Sequence, residues 1–230
     1  MRTRFALALL SIPALLGACA TTAPAEHEHS LSWVWILTGP RDAEVQGEAR
    51  NAAFAGHFAN MDRMAEEGQL LVAGPFGEPR AQDDHRGIFL LATADTAHAE
   101  EVAFSDPTAQ AGVFVFEVEP FATDDPLDRL GPLHEAAIEA SGVENPPPGY
   151  HARPYVLLTG APAGAAEAAL ETAGAPVLFA GRLGAGEAER TLACLDAQTA
   201  DEAQALLPAA GGGSWTVMPW FASNEVVNLR

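Results

Sequence analysis

The chain has 230 residues, and its 31 acidic residues outnumber 12 basic ones to give a formal net charge of −19. Nucleic acid and anionic lipid headgroups would be repelled by such a surface, so neither is an expected ligand. The length allows two small domains or one large one. Of the two cysteines, Cys19 lies near the N-terminus and Cys194 lies in an apolar run, so no internal disulfide is predicted.

Residues 1–18 are predicted to be a signal peptide and not part of the fold. Two arginines precede an apolar run, residues 5–16, that is too short to span a bilayer as a helix. The run leads into Leu-Gly-Ala-Cys, which resembles the lipobox of bacterial lipoproteins and implies a lipid on Cys19. That resemblance implies a periplasm-facing lipoprotein, and Ala20 favours the outer membrane over the inner one. The alternative is a plain secretory signal with an incidental cysteine.

Residues 19–31 are interpreted as a polar tether. The tether contains His27, Glu28 and His29, but three residues on such a segment lack a closed ligand set, so no metal site is predicted. The chain has no Gly-rich phosphate loop, nucleophile elbow, CxxC or HExxH motif, which disfavours nucleotide, serine-hydrolase, thioredoxin-like and zinc chemistry. No cofactor is implied.

Residues 32–123 are predicted to fold as one module with the element order βαββαβ. Hydrophobic patterning and turn residues place strands at residues 33–38, 69–73, 87–92 and 113–121, and helices at residues 49–67 and 93–104. Pro107 is expected to end the second helix, because proline cannot continue its hydrogen-bond ladder. This order predicts a ferredoxin-like α+β sandwich, with an antiparallel sheet and both helices on one of its faces.

The same order of elements returns in residues 152–230, after a linker at residues 124–151 with a predicted short helix. The second set of strands is predicted at residues 155–159, 176–180, 190–195 and 215–220, with helices near residues 163–172 and 200–207. Four short matches recur in the same sequence order, and one of them pairs Gly74 with Gly181. Another pairs Thr38 with Thr159, an offset of 121 residues (159 − 38 = 121). The second half is therefore interpreted as a degenerate copy of the first.

His57 and Asp106 occur in the first copy alone, since no histidine follows His151 and Ala209 stands where Asp106 would align. In the predicted topology the two helices run antiparallel, which brings His57 and Asp106 to the same end of the helical layer. A carboxylate that accepts from one imidazole nitrogen fixes the tautomer and leaves Nε2 as a base. The alternative is a structural hydrogen bond or a helix-capping aspartate.

The residues around this pair resemble the YCII-related domain family. The resemblance is carried by Gly56-His57, by residues 66–75, by Ser105-Asp106-Pro107 and by residues 117–121, and it covers nearly all of the first copy. It implies a dimeric α+β barrel, in which two ferredoxin-like sheets pack face to face, and a site formed by His57 and Asp106. With both copies on one chain, we expect an intramolecular barrel and a monomer.

Two functions follow as hypotheses. The first is a small-molecule enzyme of lyase or isomerase type, in which His57 transfers a proton, Asp106 orients it and Arg41 binds an anionic group. The second is a non-catalytic, lipid-anchored protein that serves in binding or envelope assembly and uses an enzyme scaffold that has lost its catalytic activity. The remaining histidines of the two modules are interpreted as loop or surface residues: His85, His98, His134 and His151.

Overall fold

The structure is a computed structural model that describes residues 29–144, 146–207 and 214–229. The predicted signal peptide, Cys19, most of the tether and Ala209 lie outside these residues. The described chain carries the predicted βαββαβ order twice. The α+β fold class is therefore confirmed.

The first half contains one short helix that the sequence analysis did not predict. Its elements are β1 (His29–Thr38), α1 (Gly47–Glu66), β2 (Leu70–Pro75), β3 (His85–Leu91), α2 (Thr96–Phe104), α3 (Pro107–Gln110) and β4 (Phe114–Thr123). Pro107 does not only end α2, because it also begins α3 as its first residue with Asp106 as the N-cap. Proline is favoured at that position, where its missing N–H costs no hydrogen bond.

The second half repeats the order after a connection that packs onto the barrel. Its elements are α4 (Leu130–Ser141), β5 (Ala152–Ala161), α5 (Ala163–Ala173), β6 (Val177–Leu183), β7 (Arg190–Leu195), α6 (Ala200–Leu206) and β8 (Ser214–Ser223). Short 3-10 turns lie at Leu127–Arg129, Gly186–Ala188 and Asn224–Leu229. Leu127 and Leu130 are buried in the central core, so the predicted linker contributes to packing as well as spanning the halves.

The eight strands form one antiparallel sheet in the order β2-β3-β1-β4-β6-β7-β5-β8. The halves join where β4 pairs with β6, with Phe121 opposite Leu183. At the other end of the order, a bridge between Phe76 and Trp220 brings β2 against β8. These two junctions curl the sheet into a nearly closed barrel, which removes most of the exposed strand edge.

Strand alternation divides the apolar side chains into three clusters. Trp33, Tyr155 and Trp220 are fully buried inside the barrel, in a core to which both halves contribute. A second cluster lies between the first half of the sheet and its helices, and includes Phe89 and Met64. A third lies under α5 and α6. Each strand is thus apolar on both faces over much of its length, as a sheet covered on both sides requires.

The strand ladders revise one detail of the predicted repeat. Trp33 lies opposite Glu119 in the β1–β4 pair, and Leu157 lies opposite Met218 in the β5–β8 pair. Since Glu119 and Met218 are matched by the sequence repeat, β1 aligns with β5 at an offset of 124 residues (157 − 33 = 124) and not 121. Because side chains alternate between the two faces of a strand, an alignment wrong by three residues would assign the opposite face of β5 to the barrel interior.

Candidate functional site

The structure places His57 and Asp106 in direct contact between α1 and α3. The Nδ1 atom of His57 lies 2.9 Å from Oδ2 of Asp106. His57 retains 7% of its exposed surface and Asp106 retains none. The predicted proximity is therefore present, on the outer face of the sheet beneath the helices and not inside the barrel.

A glycine next to the histidine sets the distance between the two helices. A Cβ atom on Gly56 would lie 2.8 Å and 2.9 Å from ring carbons of Pro107. Only glycine permits this approach without a shift of one helix. The adjacent pairs Gly56-His57 and Asp106-Pro107 thus form one contact, in which backbone packing brings the imidazole to the carboxylate.

Asp106 accepts more hydrogen bonds than the one from His57. Its Oδ1 accepts from the backbone N–H of Thr108 at 2.9 Å and from the Thr108 hydroxyl. Its Oδ2 also accepts from Nδ2 of Asn60 at 3.2 Å, one turn along α1 from His57. Burial raises the pKa of Asp106, but the hydrogen bonds from His57 and Thr108 outweigh burial and lower that pKa below its ordinary value. Asp106 is therefore an ionised carboxylate near neutral pH.

Aromatic rings surround the imidazole of His57. Phe89 stacks on it at a centroid distance of 5.7 Å, and Phe54, Phe58 and Phe114 meet it edge to face. Within the described residues Nε2 of His57 has no hydrogen-bond partner, and it is not among the polar atoms that are both buried and unpaired. The group can therefore exchange a proton with a molecule that reaches Nε2 from solvent.

Arg41, the third predicted site residue, lies after β1 beside the turn that follows α3. Its backbone N–H donates to the carbonyl of Gly112 at 2.9 Å, and its side chain lies along that glycine. The guanidinium pairs with Glu44 at 3.5 Å and is 59% exposed. No hydrogen bond joins Arg41 to His57 or Asp106 in the part of the chain that the structure describes.

A cavity of about 440 Å³ lies at one mouth of the barrel, away from the His57–Asp106 pair. Sequence reasoning did not identify it. Six of the residues that line this barrel-mouth cavity carry its polar and aromatic character: Trp35, His85, Glu117, Glu119, Arg190 and Thr216. One signal was available, because Glu117 and Glu119 interrupt the apolar residues at alternate positions of β4. A second cavity, of about 270 Å³, is likewise not lined by His57 or Asp106.

His85 is a wall residue of the barrel-mouth cavity, at the start of β3, and not only the loop or surface residue that was expected. Among the described residues no group of three or more histidine, cysteine, aspartate or glutamate side chains is placed to hold a metal ion. None of the described helices has the length and apolar character needed to cross a membrane.

Comparison with known proteins supports both the family and the fold. Residues 33–122 match the YCII-related domain family. A chlorite dismutase variant from Candidatus Nitrospira defluvii is 10% identical with a TM-score of 0.52, and covers 88% of this chain and 95% of its own. Another variant of that enzyme is 13% identical with a TM-score of 0.52, and covers 86% of this chain and 93% of its own.

At such low identity the likeness to chlorite dismutase concerns the fold alone. No curated protein sequence matches the chain. The family match covers the half that holds His57 and Asp106, and the structural match extends over both halves. Residues 33–122 thus match the YCII-related domain family, and they form one half of an α+β barrel whose fold is similar to that of chlorite dismutase.

Proposed function

We propose that this protein is a small-molecule enzyme of lyase or isomerase type that transfers a proton on a carbonyl-bearing compound. The supporting observation is the buried hydrogen bond of 2.9 Å between His57 and Asp106, combined with an Nε2 atom of the histidine that has no hydrogen-bond partner within the described residues. A YCII-related domain is compatible with an enzyme scaffold. The likeness to chlorite dismutase adds no reaction to this proposal.

His57 is the proposed catalytic residue, and Asp106 acts through it as a positioning residue. Because the ionised carboxylate accepts at Nδ1, the neutral imidazole carries its hydrogen there and has its lone pair on Nε2. Nε2 would remove a proton from the carbon beside a carbonyl, and Asp106 would stabilise the resulting imidazolium. The surrounding phenylalanines keep water away from most of the ring.

Arg41 is the proposed partner for an anionic group of the substrate. Its ion pair with Glu44 is long and exposed, so little free energy opposes its exchange for a substrate carboxylate. Arg41→Gln should raise KM for an anionic substrate and leave kcat nearly unchanged. Such a split distinguishes substrate binding from a role in the chemical step.

Proton transfer is testable without a known substrate. Small carbonyl compounds are incubated with the full-length protein in D2O, and loss of the proton next to the carbonyl is followed by NMR. We expect at least one compound to exchange, and His57→Asn to slow that exchange by about 10²–10⁴-fold, the usual contribution of a general base. His98→Asn, at a half-exposed histidine on α2, is the matched control and should leave the rate unchanged.

The second candidate is a non-catalytic binding protein on the same scaffold. It is favoured by the hydrogen bonds that Asp106 makes as the N-cap of α3, since these give the aspartate a structural task of its own. Absence of exchange across the carbonyl panel, together with a folded His57→Asn protein of lowered stability, would favour this candidate over the enzyme.

We also propose that the protein is anchored in the bacterial envelope through a lipid on Cys19, facing the periplasm. The support is the lipobox-like sequence before that cysteine, which lies outside the described residues. Two or three acyl chains give stable membrane attachment. Cys19→Ser should move the protein from the membrane to the soluble fraction, and unchanged membrane association would contradict the anchor.

A further inference from the structure

The barrel-mouth cavity has the size of a small-molecule site, and neither His57 nor Asp106 lines it. Its volume of about 440 Å³ falls within the range of ligand pockets, roughly 300–1,000 Å³. Residues of both halves line it, so it exists only in the assembled barrel. None of the interactions of the His57–Asp106 pair is shared with its walls.

Two of the three charged side chains in the cavity neutralise each other. Arg190 donates to Oε1 of Glu119 at 2.9 Å and to Oε2 at 2.6 Å, and the indole N–H of Trp35 donates to Oε2 at 2.7 Å. Burial raises the pKa of Glu119, but the hydrogen bonds from Arg190 and Trp35 lower it below its ordinary value. Glu119 is thus an ionised carboxylate, and Arg190 has its charge compensated inside the protein.

Glu117 is left as an uncompensated negative charge at the same mouth. Glu117 is exposed, its carboxylate forms no hydrogen bond and no ion pair within the described residues, and it acts electrostatically on the imidazole of His85. Burial lowers the pKa of His85, more than the nearby carboxylates of Asp84 and Glu117 raise it, so the imidazole is neutral near pH 7. An anion would meet repulsion here, and a cation would meet an open carboxylate.

The remaining walls fit a ligand that has an apolar body with few polar atoms. Trp35 and Met218 supply apolar surface, and Thr159 and Thr216 supply hydroxyl groups. The Nδ1 atom of His85 is buried and has no hydrogen-bond partner in the described chain. That atom is closed to solvent, so a ligand in the cavity would not contact it without a rearrangement of the side chain.

The two halves present different chemistry at equivalent positions around this cavity. Glu117 corresponds to Thr216 and Glu119 to Met218, since β4 and β8 match at an offset of 99 residues (218 − 119 = 99). In a barrel of two identical modules each wall would repeat the other. Here the acidic wall belongs to the first half alone, so a ligand with one charged end can bind in a single orientation.

We propose that the barrel-mouth cavity binds a small organic cation, whose ammonium group pairs with Glu117 and whose apolar body lies against Trp35 and Met218. This site is separate from the proposed proton-transfer site at His57. The negative charge of the whole chain raises the local concentration of cations but supplies no specificity. Specificity therefore depends on Glu117 and on the cavity walls.

Three probes of similar size and different charge test this site: phenethylamine, phenethyl alcohol and phenylacetate. Binding to the full-length protein is measured by titration with ligand-observed NMR. We expect phenethylamine to bind about tenfold more tightly than the alcohol, and phenylacetate most weakly, because the carboxylate of Glu117 pairs with the ammonium group and repels the carboxylate of phenylacetate.

Glu117→Gln should weaken phenethylamine about tenfold and leave the alcohol unchanged, since the volume of the side chain is kept. Glu48→Gln, at an exposed carboxylate on α1, is the matched control and should change neither. His57→Asn should also leave amine binding intact, which separates this result from any failure of the proton-transfer proposal. The inference is overturned by equal amine binding in Glu117→Gln and wild type, by stronger binding of phenylacetate, or by no amine binding at millimolar concentration.

Discussion

Asp106 performs two tasks that are usually carried out by different residues. One oxygen caps α3 through Thr108, and the other accepts from His57 and Asn60. The chain contains a close comparison in Asp95, the N-cap of α2, whose Oδ1 accepts from the backbone N–H groups of Ala97 and His98. Asp95 therefore caps its helix through backbone groups, and within the described residues it has no hydrogen bond to a histidine side chain.

Asparagine substitution separates the two tasks, because asparagine caps helices about as well as aspartate. Asp95→Asn should therefore leave the free energy of unfolding nearly unchanged. Asp106→Asn should lower it by about 2 kcal/mol at pH 7, since it replaces a charge-assisted hydrogen bond in a buried site. Urea unfolding of the three proteins measures the difference, and equal stability of both variants would mean that His57 and Asp106 do not interact appreciably.

The same pair of proteins, wild type and Asp106→Asn, should differ in how their stability depends on pH. The pKa of Asp106 is lower in the folded protein than in the unfolded chain, so the unfolded chain takes up the proton first as the pH falls. The stabilisation is complete above the unfolded value, about 3.9, and is lost as the pH falls through the folded value. The difference in the free energy of unfolding between wild type and Asp106→Asn should therefore become smaller as the pH falls through this acidic range. A gap that widened there would contradict the lowered pKa.

At the scale of elements, the glycines shared by the two halves mark the places where the barrel closes. A Cβ on Gly74 of β2 would lie 1.8 Å from the carbonyl oxygen of Phe221 on β8. A Cβ on Gly181 of β6 would lie 2.4 Å from the carbonyl oxygen of Ala122 on β4. The two positions are equivalent, and at each of them strands of the two halves approach too closely for a side chain.

The prolines shared by the two halves, Pro120 and Pro219, lie at the same two junctions. The N–H of Gly77 donates to the carbonyl of Pro219, and the N–H of Gly184 donates to the carbonyl of Pro120, each at 2.9 Å. These bonds continue the two junctions beyond the shared glycines. The sequence repeat therefore preserves the closure of the barrel, which is why the repeat could be recognised in the second half, where the equivalents of His57 and Asp106 are absent.

Alanine at a closing glycine should strain the junction. Gly74→Ala and Gly181→Ala should each lower the free energy of unfolding by about 1–3 kcal/mol, the usual cost of overpacking. Gly164→Ala is the control, since its Cβ on α5 meets nothing within 4 Å and alanine favours a helix. Thermal unfolding measures all three, and a Gly74→Ala protein as stable as Gly164→Ala would mean that β2 and β8 are not held together.

Local signals predicted most of the strands and helices, and the features that were not predicted are either too short to give a hydrophobic period or depend on long-range contacts. The β7 range agrees at both ends, because Arg190–Leu195 is an apolar strand bounded by polar residues. The helix α3 was not predicted, although Asp106-Pro107 is a typical start, because four residues give no hydrophobic period. The barrel-mouth cavity combines Glu119 with Arg190, 71 residues apart in sequence, and no local pattern indicates such a pairing.

At the scale of the whole molecule, one chain supplies every strand of the barrel. The interior is filled by side chains of both halves, such as Trp33 and Tyr155, and the outer faces are covered by helices. The strands at the ends of the sheet order, β2 and β8, meet at the bridge between Phe76 and Trp220. A second chain is therefore not needed to cover either face of the sheet.

We accordingly predict that the protein without its lipid is a monomer. Light scattering on the soluble Cys19→Ser protein should give a mass near that of one chain, 24.0 kDa. The rival is a domain-swapped dimer, in which β5–β8 of one chain complete the barrel of another through an extended connection at residues 124–151. Leu127 and Leu130 oppose this exchange, because their burial fixes the connection against the barrel of its own chain. A mass near twice that of the chain, persisting on dilution, would contradict the monomer and reject the intramolecular barrel as the complete assembly, whether the dimer is domain-swapped or joins two intact barrels of two modules each.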